Sequence, residues 1–191
     1  LLESEYPQFP TSWSPDGQKL AFTEIHPSTG HDIWILDLQG GRSAQPLLRS
    51  EYYENKAVFS SDGEWLAYVS TESGQREVYV RAFPGPGGKW QISTEGGDNP
   101  VWAPSGQEIF YRSGDKMMSV LFQADPVPST SKPRLMFKTL DEESRIDLPN
   151  YDTSPDGGQF LMIKGEDEPA VTEINVVLNW HEELKRLVPT N

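Results

Sequence analysis

The chain contains no cysteine, which excludes disulfide bonds, thiolate catalysis and metal sites built from cysteine. It has only three histidines and no apolar run long enough to cross a membrane as a helix. Basic residues are also scarce: 16 Lys and Arg stand against 29 Asp and Glu, a formal net charge of −13. Because the negative electrostatic potential that results repels phosphate backbones and anionic lipids, we expect no nucleic-acid binding and no membrane contact by this chain.

The length and composition indicate a folded domain. The chain has 191 residues, of which 24% are charged and 11% aromatic, enough for one domain with a real core. Residue 1 is Leu rather than Met, and we expect the chain to be a piece of a longer protein.

One turn motif recurs four times along the chain. The copies are SPDG at 14–17, SSDG at 60–63, APSG at 103–106 and SPDG at 154–157, with glycines 46, 43 and 51 residues apart. Proline presets φ for such a turn and glycine closes it. Repeats of this length that contain several short strands are typical of a β-propeller.

The residues around the turns repeat as well. At a shift of 46, Leu20-Ala21-Phe22 falls on Leu66-Ala67-Tyr68. Trp13, Phe59 and Trp102 share the position just before their turns. Aromatic residues at a fixed repeat position indicate packing between blades, so we predict that these three are core residues.

The predicted fold class is all-β: one propeller domain of about four four-stranded blades. The blades cover about residues 11–49, 57–93, 100–138 and 151–179, and residues 1–4 form a further outer strand. After the last blade, Asn179 is expected to cap a short C-terminal helix. Two arrangements stay open: the strand 1–4 closes the fourth blade, or a homodimer completes the ring.

The chain resembles a known family. Its Ser-Pro-Asp-Gly turns, with Trp or Phe before and Leu-Ala-Phe after, resemble the TolB-type WD-like propeller repeat. The stretches Trp65 to Ile92 and Ile174 to Pro189 resemble the C-terminal propeller of bacterial receptor-like serine/threonine protein kinases. This resemblance implies a periplasmic or extracytoplasmic sensor or interaction domain. The kinase glycine-rich loop, His-Arg-Asp and Asp-Phe-Gly are absent, so the chain itself is not expected to be a kinase.

No constellation of residues indicates catalysis. The nucleophile motif Gly-x-Ser-x-Gly does not occur. His26 and His31 share a loop in which Glu24 or Asp32 could join them around a metal, but a five-residue spacing across a loop enforces no geometry. The repeated aspartates 16, 62 and 156 are interpreted as turn residues rather than as a ring of calcium ligands. We therefore predict no catalytic residue, no metal and no cofactor.

The predicted binding surface is one mouth of the ring, where the loops that enter the inner strands meet the hairpins between second and third strands. Tyrosine beside carboxylate is suited to protein or peptide recognition, since tyrosine is enriched at interface hot spots. The candidate ligand-binding residues are Tyr6, His26, His31, Glu51, Tyr52, Tyr53, Asp98 and Asn99.

The functional prediction is a non-enzymatic interaction or sensor module that binds a protein, a peptide or a small ligand at this mouth. Two alternatives belong to other classes. The chain could be the accessory propeller domain of a serine peptidase or another hydrolase. It could also be a metal-dependent propeller enzyme, for which Asp98, Asn99, Asn150 and Asp152 are the candidate ligands.

Overall fold

The structure is a computed structural model, and it describes residues 2–163 apart from 40, 86, 126 and 140–149. The strands in these residues are β1 (Gln8–Trp13), β2 (Lys19–His26), β3 (Gly30–Asp37), β4 (Ala44–Leu48), β5 (Glu54–Phe59), β6 (Trp65–Ser70), β7 (Glu77–Ala82), β8 (Lys89–Gln91), β9 (Asp98–Trp102), β10 (Glu108–Ser113), β11 (Lys116–Gln123), β12 (Ser129–Thr130), β13 (Arg134–Lys138), β14 (Tyr151–Thr153) and β15 (Phe160–Met162).

The strands form antiparallel sheets in chain order. Strands β1 to β4 make the first blade and β5 to β8 the second. In the third blade, β9, β10 and β11 are followed by β13, while the short β12 pairs with the end of β11. The described part of the fourth blade is the pair β14–β15. The predicted all-β propeller architecture is confirmed.

The four repeated turns have the same internal geometry. Their glycines, at 17, 63, 106 and 157, have φ of 68°, 75°, 70° and 70°, the left-handed region that glycine tolerates best. In the first turn the Ser14 hydroxyl donates to Asp16 Oδ1 at 2.5 Å, and the Gln18 N–H donates to the same oxygen at 3.0 Å. Equivalent bonds hold Asp62 and Asp156. The interpretation of these aspartates as turn residues is therefore confirmed.

The core lies between the blades. We call the face that a blade turns toward the preceding blade its leading face, and the opposite one its trailing face. At the first junction, Ala21 and Ile33 on the trailing face of the first blade pack with Phe59, Leu66 and Tyr68 on the leading face of the second. Each blade can contact both of its neighbours in this way because successive side chains of a strand point to opposite faces of the sheet.

The other two junctions repeat the arrangement. Trp65, Ala67 and Val78 on the trailing face of the second blade pack with Trp102 and Ile109 of the third. The next cluster joins Phe110 and Met117 of the third blade to Tyr151 and Phe160 of the fourth. Each blade thus buries its apolar side chains against its neighbour, which is why single repeats of this kind are not stable alone.

Two predictions about the start of the chain are wrong. Trp13 is not a core residue, because 58% of it is exposed whereas Phe59 and Trp102 are buried. Leu2 to Ser4 form no strand; instead the Ser4 hydroxyl donates to Glu24 Oε2 at 2.9 Å. The predicted third strand of the last blade and the C-terminal helix lie in residues 164–191, outside the described residues.

Candidate functional site

Each of two inner strands contains a bulge near one mouth. In β5 the pairing register with β6 shifts between Asn55 and Val58, and in β9 it shifts between the partners of Phe110 and Arg112. The bulged residues Lys56 and Asn99 have φ of 58° and 51°, which is uncommon for residues other than glycine. A bulge inserts one extra residue and re-aims the side chains around it.

Asp98 is held between two cations contributed by the second blade. Its Oδ1 accepts a hydrogen bond from Lys56 Nζ at 2.7 Å, and its Oδ2 accepts one from Arg76 Nη1 at 3.0 Å. The Lys56 side chain is only 5% exposed, so its ammonium group is largely removed from water. Charged groups at such depth are stable only when paired, and Asp98 supplies this pairing across the second junction.

Tyr53 extends this arrangement toward the first blade. The Arg76 guanidinium lies 4.3 Å from the centre of the Tyr53 ring, a cation–π contact, and the His31 ring lies 4.6 Å from it. We call His31, Tyr53, Arg76, Asp98 and Lys56 the polar array. It runs over three blades at one mouth of the propeller.

Tyr6 and His26 form a separate aromatic pair beside the array. Their ring centres are 4.7 Å apart with an edge-on geometry, and Ser28 Oγ lies 2.8 Å from His26 Nδ1. His26 and His31 therefore contact different aromatic rings. In the part of the chain that the structure describes, no three or more His, Cys, Asp or Glu side chains are grouped so that they could hold a metal ion.

Glu51 and Tyr52 are the exposed members of the predicted set. Both lie in the loop that enters β5, and the Ser50 hydroxyl fixes this loop by accepting from the Tyr52 N–H at 3.1 Å and donating to Glu54 Oε1 at 2.9 Å. Burial raises the pKa of the Glu54 carboxyl. The loop thus presents Glu51 and Tyr52 to solvent from a fixed base.

Asn99 was expected in a mouth loop, but the structure places it inside. It belongs to β9, is buried, and its backbone oxygen accepts a hydrogen bond from the Tyr151 hydroxyl at 2.6 Å. Burial raises the pKa of Tyr151 well above its usual value, so the hydroxyl remains a donor. Asn99 therefore connects the third and fourth blades through its backbone, and the surface role proposed from its position in the sequence has no support in this geometry.

A polar cleft opens next to Asp98. It has a volume of about 260 Å³ and is lined by Gln75, Arg76, Glu95, Gly96, Gly97, Asp98, Ser113 and Gly114. Its walls come from hairpins of the second and third blades and from the loop between those blades. The cleft is small and polar, a shape suited to one or two side chains of a bound segment.

Lys56 and Arg76 are the members of the polar array that are absent from the predicted set of ligand-binding residues, and Lys56 was predicted to lie outside the second blade. The available signal was a lysine inside the strand segment ENKAVF, at a repeat position that Asn99 occupies in the next blade. The second and third blades were predicted to begin at about residues 57 and 100, whereas their inner strands begin at Glu54 and Asp98.

Comparisons with known proteins agree with this architecture. A family model described as TolB beta propeller domain matches residues 2–161. An uncharacterized protein of Agrobacterium fabrum is 26% identical over 178 residues, which cover 86% of this chain and 57% of that protein. The chain therefore spans little more than half the length of this relative.

Two solved structures share the fold. TolB from Acinetobacter baumannii superposes with a TM-score of 0.61 at 20% identity, covering 83% of this chain and 37% of that one. An oligogalacturonate lyase in complex with manganese also gives a TM-score of 0.61, at 12% identity, covering 90% of this chain and 50% of that one.

Within the part of the chain that the structure describes, there is no helix long and apolar enough to cross a membrane. With a family match over most of its length, antiparallel blades in sequence and three apolar junctions between them, this chain belongs to the TolB beta propeller domain family.

Proposed function

We propose that this propeller module is a non-enzymatic binding domain whose mouth, around the polar array, takes a basic segment of a protein or peptide. The observation that carries the proposal is the exposed pair Glu51 and Tyr52 on a loop that Ser50 anchors, next to the array. A tyrosine presented from a fixed loop loses little conformational entropy on binding. Such residues dominate the energetics of many interfaces.

The expected charge of the partner follows from the charge balance of the site. The cations Lys56 and Arg76 are both engaged with Asp98. Glu95, which lines the cleft with Arg76, and Glu51, two residues before Tyr53, are exposed. The whole chain has a net charge of −13. Because complementary charge speeds association and selects partners, we infer that the bound segment is basic.

The geometry also refines which residues a test should change. Asp98 pairs with the buried Lys56, so its replacement would disturb folding as well as binding. Glu51 and Tyr52 are exposed, and their replacement should leave the fold intact.

A phage-displayed library of random peptides, selected on the immobilised chain, supplies the probe. Enriched peptides should be rich in Lys or Arg, and their affinity, measured by fluorescence anisotropy, should fall with added salt. Tyr52→Ala should weaken binding about tenfold or more, equivalent to about 1.4 kcal/mol. Glu51→Gln should weaken it less and reduce the salt dependence.

Glu64→Gln is the matched control, because it removes an exposed carboxylate beside a Ser-Ser-Asp-Gly turn at the other end of the blade. This variant should bind the selected peptides like the wild type. Selection that enriches no peptide, or peptides that bind Tyr52→Ala as tightly as the wild type, would contradict the proposal.

A further inference from the structure

Two buried carboxylates lie side by side on the first blade. Glu24 in β2 and Asp32 in β3 are direct cross-strand partners, so their side chains project from the same face of the sheet, with Cβ atoms about 5 Å apart. Glu24 is 7% exposed and Asp32 is fully buried. Phe22, on the same face, is buried as well. Water therefore does little to screen the two negative charges from each other.

The hydrogen bonds to these carboxylates come from neutral groups. Glu24 Oε2 accepts one from the Ser4 hydroxyl at 2.9 Å and one from Gln8 Nε2 at 2.8 Å. Asp32 Oδ2 accepts one from the Thr29 hydroxyl at 2.6 Å. These bonds fix the positions of the two carboxylates, but they add no positive charge.

Positive charge is scarce at this position. In the part of the chain that the structure describes, the one cation paired with either carboxylate is Arg49, whose Nε lies 3.7 Å from Asp32 Oδ2 and whose side chain is 41% exposed. Asp32 Oδ1 is buried and has no hydrogen-bond partner. A buried ionised carboxylate is costly unless it is paired. The unpartnered oxygen and the second carboxylate beside it together indicate a site for a cation.

The second blade shows how the same repeat positions are satisfied without an ion. There Glu77 and Ser70 are the cross-strand partners that stand where the first blade has its two carboxylates. Glu77 is 1% exposed, and both of its carboxylate oxygens are bonded: Oε2 accepts from the Ser93 hydroxyl, and Oε1 accepts from the Gly96 N–H at 2.9 Å. The fold thus accepts one buried carboxylate here when donors surround it. The first blade has two carboxylates and leaves one oxygen without a donor.

We propose that Glu24 and Asp32 hold a calcium ion, with Asp32 Oδ1 as one of its ligands. The carboxylates supply oxygen ligands, which favours a hard divalent cation over zinc or copper. Calcium tolerates an irregular shell and completes it with water, whereas magnesium demands near-ideal octahedral geometry. The described residues group no three acidic or histidine side chains around a metal position, so this is a two-carboxylate site. We expect it to be weak, with a Kd of about 10⁻⁴–10⁻³ M.

The test is a calcium titration of the metal-free 191-residue chain, followed by thermal unfolding. At about 10 mM calcium the Tm should rise by about 3 °C or more, because the ion binds only the folded chain. Magnesium at the same concentration should raise the Tm less. Asp32→Asn should abolish the calcium shift and leave the metal-free protein at least as stable, since it removes an uncompensated buried charge. Asp37→Asn is the control, because it removes a carboxylate on the same strand that is paired with Lys19, and it should keep the shift.

Terbium reports the position of the ion. This ion binds at calcium sites and luminesces when a nearby tryptophan is excited. Trp34 lies two residues after Asp32 in β3 and therefore on the same face. The wild type should give terbium luminescence that calcium displaces. Trp34→Phe should lose most of this luminescence and keep the rise in Tm with calcium.

Three outcomes would overturn the proposal. A wild-type Tm that calcium raises no more than magnesium does would indicate screening of the net charge instead of a site. An Asp32→Asn protein that keeps the full calcium shift would place the ion elsewhere. No calcium response, with Asp32→Asn gaining Tm at neutral pH and not at acid pH, would show that the two carboxylates share a proton.

Two further variants keep the result unambiguous. Should Asp32→Asn fail to fold, as judged by circular dichroism, Glu24→Gln takes its place with the same expected loss of the calcium shift. Tyr52→Ala should keep the full calcium response, because Tyr52 belongs to the mouth loop and touches neither carboxylate. Failure of the peptide proposal and failure of the calcium proposal can therefore be told apart.

Discussion

Replacing Trp102 by alanine tests the central physical claim, that junctions between blades hold this molecule together. Trp102 is 7% exposed and lies in the cluster that joins the second and third blades. Its ring centre is 5.5 Å from that of Phe122, and its Nε1 donates a hydrogen bond to the Val58 oxygen at 3.2 Å. The substitution removes all of these contacts from one side of a junction.

The expected cost can be worked from the burial. A tryptophan buries about 200 Å², which at about 25 cal/mol per Å² gives about 5 kcal/mol for complete removal from water. The alanine side chain keeps part of this burial free energy, and loss of the hydrogen bond adds about 1 kcal/mol to the cost of the substitution. We expect Trp102→Ala to lower the free energy of unfolding by about 3–5 kcal/mol. Trp102→Phe keeps a ring in the junction and should cost less.

Urea unfolding followed by circular dichroism measures this free energy. Leu121→Ala is the control, because Leu121 is exposed on the third blade and should change stability by less than about 0.5 kcal/mol. Each protein should be measured at two concentrations, so that association between copies is separated from folding. A loss below about 1 kcal/mol for Trp102→Ala would refute the view that the junctions are the core.

Three further predictions follow from other contacts. Thr23→Val removes the hydroxyl that donates to Asn55 Oδ1 at 2.6 Å between the first two blades, and it should lower the free energy of unfolding by about 1–2 kcal/mol in urea titrations; an unchanged midpoint would contradict this. Burial raises the pKa of the Glu54 carboxyl, so its contribution to stability is lost as the pH rises above the unfolded-state pKa. The Tm of Glu54→Gln should therefore increase relative to that of the wild type as the pH is raised. An equal Tm difference between the two proteins at acid and neutral pH would argue against burial as the cause. Tyr151→Phe removes the hydrogen bond to the Asn99 oxygen and should cost about 1–2 kcal/mol in urea titrations. Burial raises the pKa of Tyr68, Tyr111 and Tyr151, so several tyrosines should resist ionisation in an alkaline absorbance titration of the folded wild type, and Tyr151→Phe should lower their number by one.

The repeat was readable from the sequence because its information is local. Glycine at the end of each turn indicates a positive φ, and the alternation of apolar and polar side chains after it indicates a strand with two different faces. Those two signals located the four turns, most of the strands and the burial of Phe59 and Trp102. The position of Asp16 just before glycine also identified it as a turn residue, and in the structure its serine and backbone partners lie two residues away.

The candidate site was only partly predictable. Tyr53 and His31 were assigned to the same mouth, and the structure does bring their rings into contact. Asn99 was misplaced because the bulge in β9 adds a residue that no alternation pattern reveals, and the strand therefore starts earlier than predicted. Lys56 was missed for the same reason in β5.

The sequence alone determined the local units: which residues turn, which alternate, and which face of each strand is apolar. Only the tertiary structure decided which distant groups meet, such as Lys56 with Asp98, 42 residues later. It alone also decided that Trp13 is exposed while its repeat equivalents are buried. The physical reason is that a side chain's environment in a propeller depends on the neighbouring blade, and that neighbour is set by the position of the repeat in the ring rather than by the repeat itself.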